Sequence, residues 1–294
     1  MIKHSAAAGL ALALVAGSAF AADLPYRKAP IIEPPPPFSW TGLYGGVNIG
    51  YGFGNGDQDQ GYATTFFPNF FGFPAWTISN DMSGVLGGGQ VGYNYQFNPW
   101  LVVGLEADVQ ASDVHSQGSA IAGGAGFIPA ANNLVYVTQN KSLDWFGTVR
   151  GRVGVTFPGM PSLLVYGTGG FAYGNVVHSA NASDFFPIGA VLVGAGSNYD
   201  DTKKGWTAGG GVEWFPFTSH ALFKAFSVKL EYLYTDLGST VVSGGIVGAV
   251  PPGAAAAGFG YWQTSTTRFS TVRLGVNWHF NPFTPAPVAV LAKY

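Results

Sequence analysis

From Gly42 onward the chain alternates apolar with small or polar residues, the period of two that marks a β-strand with one greasy face. Eight such segments are predicted. The first, Gly42 to Phe53, puts Leu43, Val47, Ile49, Tyr51 and Phe53 on one face. The second is Val85 to Phe97 and the third Leu101 to Val109, with Glu106 and Asp108 on its polar face. In the fourth, Leu143 to Phe157, Arg150 and Arg152 oppose Trp145, Val149, Val153 and Val155. Leu163 to Gly174 is the fifth and weakest, and Gly205 to Phe215 the sixth, where Glu213 opposes Val212 and Trp214. The seventh, "FSVKLEYLYTDLG", sets Lys229 and Glu231 against Val228, Leu230 and Tyr232. The eighth, Thr267 to Phe280, sets Arg273 and His279 against Val272, Leu274, Val276, Trp278 and Phe280.

The connections alternate in length. They are brief after the second, fourth and sixth segments and run to about 20–30 residues after the odd ones, the rim asymmetry of outer-membrane barrels. The apolar faces carry aromatic residues near strand ends, among them Trp40, Trp145, Trp206, Trp214 and Trp278, as expected of girdles at the two bilayer boundaries. No Lys, Arg, Asp or Glu falls between those ends, where Arg or Lys would cost about 2–4 kcal/mol at mid-bilayer. On the opposite faces Glu106, Asp108, Glu213 and Glu231 balance Arg150, Arg152, Lys229 and Arg273. A narrow lumen requires such balance, since an unpaired buried charge is costly; Glu106 and Asp108 are expected to meet Arg150 and Arg152 from the neighbouring strand. Glycines on the same faces, such as Gly46, Gly88 and Gly209, suit a small bore filled by side chains. The expectation is an all-β, transmembrane, antiparallel up-and-down barrel of about eight strands, with the charged faces inward.

The remaining features set limits. "MIKHSAAAGLALALVAGSAFA" reads as a secretory signal peptide, residues 1–21, with Ala19 and Ala21 framing the cleavage site. Residues 22–39, rich in Pro, read as an extended periplasmic spacer before a barrel over 40–280 and a C-terminal tail over 281–294. Only 10% of the 294 residues are charged, and the net charge of −2 gives no basic surface for nucleic acid. Cysteine is absent, which excludes disulfides, thiolate metal sites and a Cys nucleophile. The histidines show no ligand spacing: His115 and His220 fall in connections, His178 near a strand end and His279 at the lumen rim. Asp57 and Asp59 in "GNGDQDQG" lack the closing Glu of a calcium loop and read as a polar loop tip. No catalytic residue, metal or cofactor is expected.

"FSWTGLYGGVNIGYGF" and "STVRLGVNWHF" resemble the small outer-membrane barrels of alphaproteobacteria, the outer-membrane immunogenic and porin-like proteins related to opacity antigens and the OmpA-type membrane domain. The resemblance covers about Phe38 to Phe280. It implies location in the outer membrane, both termini in the periplasm, and an assembly signal at Val276, Trp278 and Phe280 read by the barrel-assembly machinery. Here that signal would be internal, because the tail follows it. Two loops, "GYATTFFPNFFGFPAWTIS" and the equally apolar one before the eighth strand, offer contact with lipopolysaccharide or an external partner, or else fold together over the mouth. The function expected is a closed, ion-paired barrel for envelope structure and surface interaction. A narrow porin-like channel for small solutes is the alternative, and a soluble secreted β-sandwich binding module the third.

Overall fold

A computed structural model describes residues 38–67, 70–125, 132–185, 192–218, 222–249 and 256–280. The expected signal peptide, all of the spacer up to residue 37, the tail and His220 lie outside the described residues. The strands are β1 (Gly42–Gly54), β2 (Gln58–Phe67), β3 (Phe70–Gly72), β4 (Ala75–Ser79), β5 (Ser83–Asn98), β6 (Leu101–Ala125), β7 (Asn132–Phe157), β8 (Met160–Phe185), β9 (Leu192–Trp214), β10 (Phe226–Ala249) and β11 (Ala256–His279). All pairings are antiparallel, and β1 pairs with both β5 and β11. The order β1-β5-β6-β7-β8-β9-β10-β11 therefore closes into a ring of eight. Val47 lies opposite Val276 at the closing seam. Closure leaves no edge, which is what lets strands cross hydrocarbon.

Outward positions around the ring are apolar and exposed, from Leu43, Val47 and Ile49 on β1 to Val272, Leu274 and Val276 on β11. A soluble sandwich would press such faces together; here they point away from the bore. Moving up from the short-turn end, the first outward charges on β6, β7, β9, β10 and β11 are Asp113, Asp144, Lys204, Asp236 and Arg268. From Trp214 to Lys204, or Trp278 to Arg268, is about the 9–11 residues a tilted spanning strand needs. Trp145, Trp206, Trp214 and Trp278 are outward and exposed near these limits.

The strands are longer than their sequence signature. The third segment runs to Ala125 and the fifth to Phe185, so the expected loops of about 20–30 residues are hairpin walls that carry the barrel beyond the charged ring. β2 continues β1 past Gly56, whose φ of 74° makes the kink, and pairs with β11 from Gln60↔Thr264 upward. β4 pairs with β2 and leads into β5. In this far half the faces exchange character. Val135, Val137, Ala122, Ala180, Ala182 and Ala195 pack inward, while Gln117, Ser119 and Asn140 look out. Bulges between Leu143 and Trp145 and between Asp236 and Ser239 mark the changeover. On β7 the bulge turns Leu143 inward although Trp145 is outward, which simple alternation forbids.

The interior is layered. Trp40, Val102, Leu164, Tyr166 and Phe215 fill the short-turn end. A charged belt follows, then an apolar belt that includes Leu86, Val114, Leu143, Phe146, Leu237 and Phe269. Beyond it lie Lys141, Lys203, His178 and Asp59, capped by the cluster containing Trp76, Ile78, Phe259 and Tyr261.

Four residue assignments change. Trp40 is not a girdle residue: it is 1% exposed, its indole NH donates to the Pro161 carbonyl at 2.9 Å, and its ring meets Phe215 at 5.0 Å, so it lies inside the short-turn end. Asp59 is no loop tip, because β2 turns it inward, where Asn80, Ser265 and the Thr266 amide donate to it. His178 sits well inside β8, buried and directly opposite Lys141, and His115 lies within β6 rather than in a connection.

Leu274→Arg, in the spanning band, is expected to cost about 2–4 kcal/mol. Ile121→Arg, equally outward but beyond the charged ring, should stay within about 0.5 kcal/mol. Urea unfolding in lipid vesicles measures both, and equal costs would contradict the placement of the hydrocarbon.

Candidate functional site

Inward positions on five strands converge on one belt of charge. β6 supplies Glu106 and Asp108, β7 Arg150 and Arg152, β9 Glu213, β10 Lys229 and Glu231, and β11 Arg273, all at most 5% exposed. The period of two places each of them inward once its apolar neighbours face out. The register then fixes their height: Glu106 lies opposite Arg150, Lys229 opposite Glu213, and Glu231 opposite Arg273.

The bonds nevertheless run across the bore as much as along the wall. Arg150 meets Glu106 at 2.5 Å, Asp108 at 3.0 Å and Glu231 at 3.0 Å, tying β7 to β6 and β10. Arg152 meets Glu213 at 2.7 Å and only distantly Glu106, at 3.5 Å. Lys229 donates to Glu106 at 2.9 Å, and Arg273 to Asp108 at 3.0 Å. The pairing expected between neighbours thus holds for Arg150, whereas Arg152 reaches past β8 to β9. Glu106, Asp108 and Glu213 each accept from two or more donors, and Glu231 accepts from Tyr166 and pairs with Arg150, so each buried charge meets a counter-charge.

The sequence pattern did not single out the neutral partners. Tyr44 donates to Glu106 at 2.7 Å and accepts from Arg152 at 2.9 Å. Tyr166 donates to Glu231 at 2.8 Å, and its ring lies 4.1 Å from the Arg152 guanidinium carbon. Glu213 also accepts from Ser227 at 2.6 Å and Asn277 at 2.8 Å, and pairs with His279 at 3.0 Å. Parity held the signal for Tyr44, which stands on the face opposite Leu43 and Val47. Here the side chains bridge wall to wall, so the arrangement joins non-adjacent strands. The outward residues expected to carry the assembly signal, Val276, Trp278 and Phe280, lie exposed on and just after β11, and the Phe280 amide donates to the Leu43 carbonyl at 3.0 Å.

Sequence reasoning missed a second polar group altogether. Lys141 crosses from β7 to β11, donating to Ser265 at 3.0 Å and the Thr266 carbonyl at 2.6 Å, and Lys203 donates to Thr267 at 3.2 Å. These residues lie beyond the spanning segments. Burial lowers both lysines to about 8, with Asp59 the carboxylate that opposes the shift. Burial, then the nearby Lys141 and Lys203, lowers His178 to about 4. No local pattern announces this group, because its members come from β2, β7, β8 and β9.

A family model described as "Outer membrane protein beta-barrel domain" matches residues 8–280. The "31 kDa outer-membrane immunogenic protein" of Brucella melitensis is 36% identical over 270 residues, covering 91% of this chain and 96% of that protein. The "22 kDa outer membrane protein" of Rhizobium leguminosarum bv. viciae is 31% identical over 214 residues, covering 71% and 69%. Among solved structures, the outer membrane protein OprG from Pseudomonas aeruginosa aligns over 82% of this chain and 98% of its own. Its 12% identity and TM-score of 0.33 carry no functional weight.

Arg150→Ala strands Glu106, Asp108 and Glu231 and is expected to cost about 3–5 kcal/mol. Arg268→Ala, which breaks a half-exposed pair with Asp236, should cost at most about 1 kcal/mol by the same denaturation assay. His178 binds a proton more readily unfolded, near pH 6.5, than folded, near 4, so its contribution is lost as pH falls through that window. Stability is expected to drop by up to about 3 kcal/mol between those values, and His178→Gln should flatten the profile there.

Proposed function

The chain belongs to the outer-membrane β-barrel family, and from that premise we propose that it is a closed, non-conducting barrel that serves envelope structure and surface interaction. It resides in the bacterial outer membrane. The observation that carries the closed reading is the charged belt, in which four carboxylates and four cations bridge the bore with Arg150 at its centre. An eight-stranded barrel is only wide enough for side chains to fill it, and here they do so with charge-neutral pairs. Trp40 and Phe215 support the same reading from the short-turn end, and Trp76 and Ile78 from the far end. The side chains at the belt are engaged with one another rather than set around a reacting centre, which favours a non-catalytic role. Bilayer lipid and lipopolysaccharide are the partners in this reading, with the barrel-assembly machinery acting before the fold is complete. An extracellular partner would meet the far walls, since long hairpins face outward from the cell in such barrels.

Recording in planar bilayers tests the closed lumen. Purified wild-type protein is expected to give no steady ohmic steps, and the triple variant Trp40→Ala, Arg150→Ala, Arg152→Ala is expected to leak. Reproducible steps from the wild type would replace this reading with a narrow channel.

A further inference from the structure

Beyond the spanning band, one patch of the outer wall is both aromatic and uncharged. Tyr62 on β2 lies between Ala75 on β4 and Trp262 on β11, while Gln60 lies between Thr77 and Thr264. The Tyr62 and Trp262 rings stack on each other, centroids 5.4 Å apart and planes 21° from parallel, yet 53% and 38% of the two residues remain exposed. Beside them a concavity of about 540 Å³ is walled by Gln60, Tyr62, Thr77 and Thr264. Its floor is the Gly61 backbone, whose inward side lies against the buried Trp76 indole so closely that a Cβ there would sit 2.5 Å from it. No ionised side chain lines it.

Position separates this pair from the girdles. Trp262 stands six places along β11 from Arg268, about 20 Å at the usual strand rise, so its ring lies past the charged ring and out of the hydrocarbon. An apolar ledge there has no lipid tail to cover it. Its surroundings offer only amides and hydroxyls: Gln60, Thr77 and Thr264, with Gln58 and Ser79 one row below. Flat aromatic faces beside neutral donors and acceptors match a pyranose, which presents an apolar C–H face and a rim of hydroxyls. Phosphate and sulfate groups call for Arg or Lys, which the patch lacks.

We propose that the Tyr62–Trp262 ledge and its adjoining concavity form a binding subsite for a neutral pyranose glycan. The sugar stacks on the exposed ring face of this stacked pair, and its hydroxyls bond to Gln60, Thr77 and Thr264. The same chemistry serves two sources, the saccharide of the surrounding lipopolysaccharide or a glycan arriving from outside the cell. The proposal deepens the surface-interaction part of the reading above and does not depend on whether the lumen conducts.

Calorimetric titration of the full chain in detergent micelles tests it, with maltohexaose, lipid-free lipopolysaccharide core oligosaccharide and a sulfated heparin fragment as probes. At least one of the two non-sulfated saccharides should bind saturably, with affinity unchanged between about 50 and 500 mM salt. Tyr62→Ala and Trp262→Ala should each weaken it about tenfold, and Trp262→Phe should restore most of it. Heat-dependent gel mobility establishes that each variant is folded, as expected for surface positions. Binding of the core oligosaccharide without maltohexaose assigns the site to the cell's own envelope, and the reverse assigns it to an external glycan. Absence of saturable binding by either, or binding that both alanine variants leave intact, overturns the proposal, as does binding confined to the sulfated fragment.

Discussion

A peptide group inside a bilayer has no water to bond to, so each strand that crosses must be paired on both sides. The seam where β1 meets β11 answers that requirement, and the arrangement of side chains follows from it. Once the ring is shut, alternate residues have two destinations, lipid or bore. Leu43, Val47 and Ile49 go to lipid, while Tyr44, Asn48 and their counterparts turn into a narrow bore. Ionised side chains can enter it only as mutually neutral sets, which is why Arg150 is surrounded by Glu106, Asp108 and Glu231.

Such a belt is not a source of stability by itself, since apolar residues of the same volume would often do as well or better. What it contributes here is connectivity. Ladder bonds join only neighbours, whereas the Arg152–Glu213 and Lys229–Glu106 pairs join strands two or more places apart. Apolar belts flank those pairs on either side, around Phe215 and around Phe146 and Phe269.

The spanning half was legible because charge contrast was high. On β10, Lys229 and Glu231 between Val228, Leu230 and Tyr232 leave one consistent assignment of faces, and the same holds for Arg150 and Arg152 on β7. The far half lost that contrast. Ser116, Gly118, Ala120 and Ala122 face inward while Gln117, Ser119 and Ile121 face outward, and small residues on both sides hide the alternation. The bulge at Asp144 then shifts parity on β7, so that extrapolating from Trp145 gives the wrong face for Leu143. Trp40 was misread for another reason: an aromatic residue at a strand entrance suits a girdle and a plug equally well, and only its contact with Phe215 and Pro161 decides between them. Asp59 and His178 are placed by cross-strand neighbours far away in sequence, Ser265 on β11 and Lys141 on β7, that no window of sequence can hold.

The walls that rise past the charged ring also determine how the protein presents itself to a large visitor. An antibody or a phage fibre approaching β6 would touch His115, Gln117 and Ser119 but never Ser116, which faces the interior. Its footprint would combine every other residue from several neighbouring strands. A short peptide copied from this region displays both faces at once and lacks the neighbours, so it mimics little of the native surface. Substitutions that alter recognition are correspondingly confined to alternate positions, with the residues between them held by the packing inside.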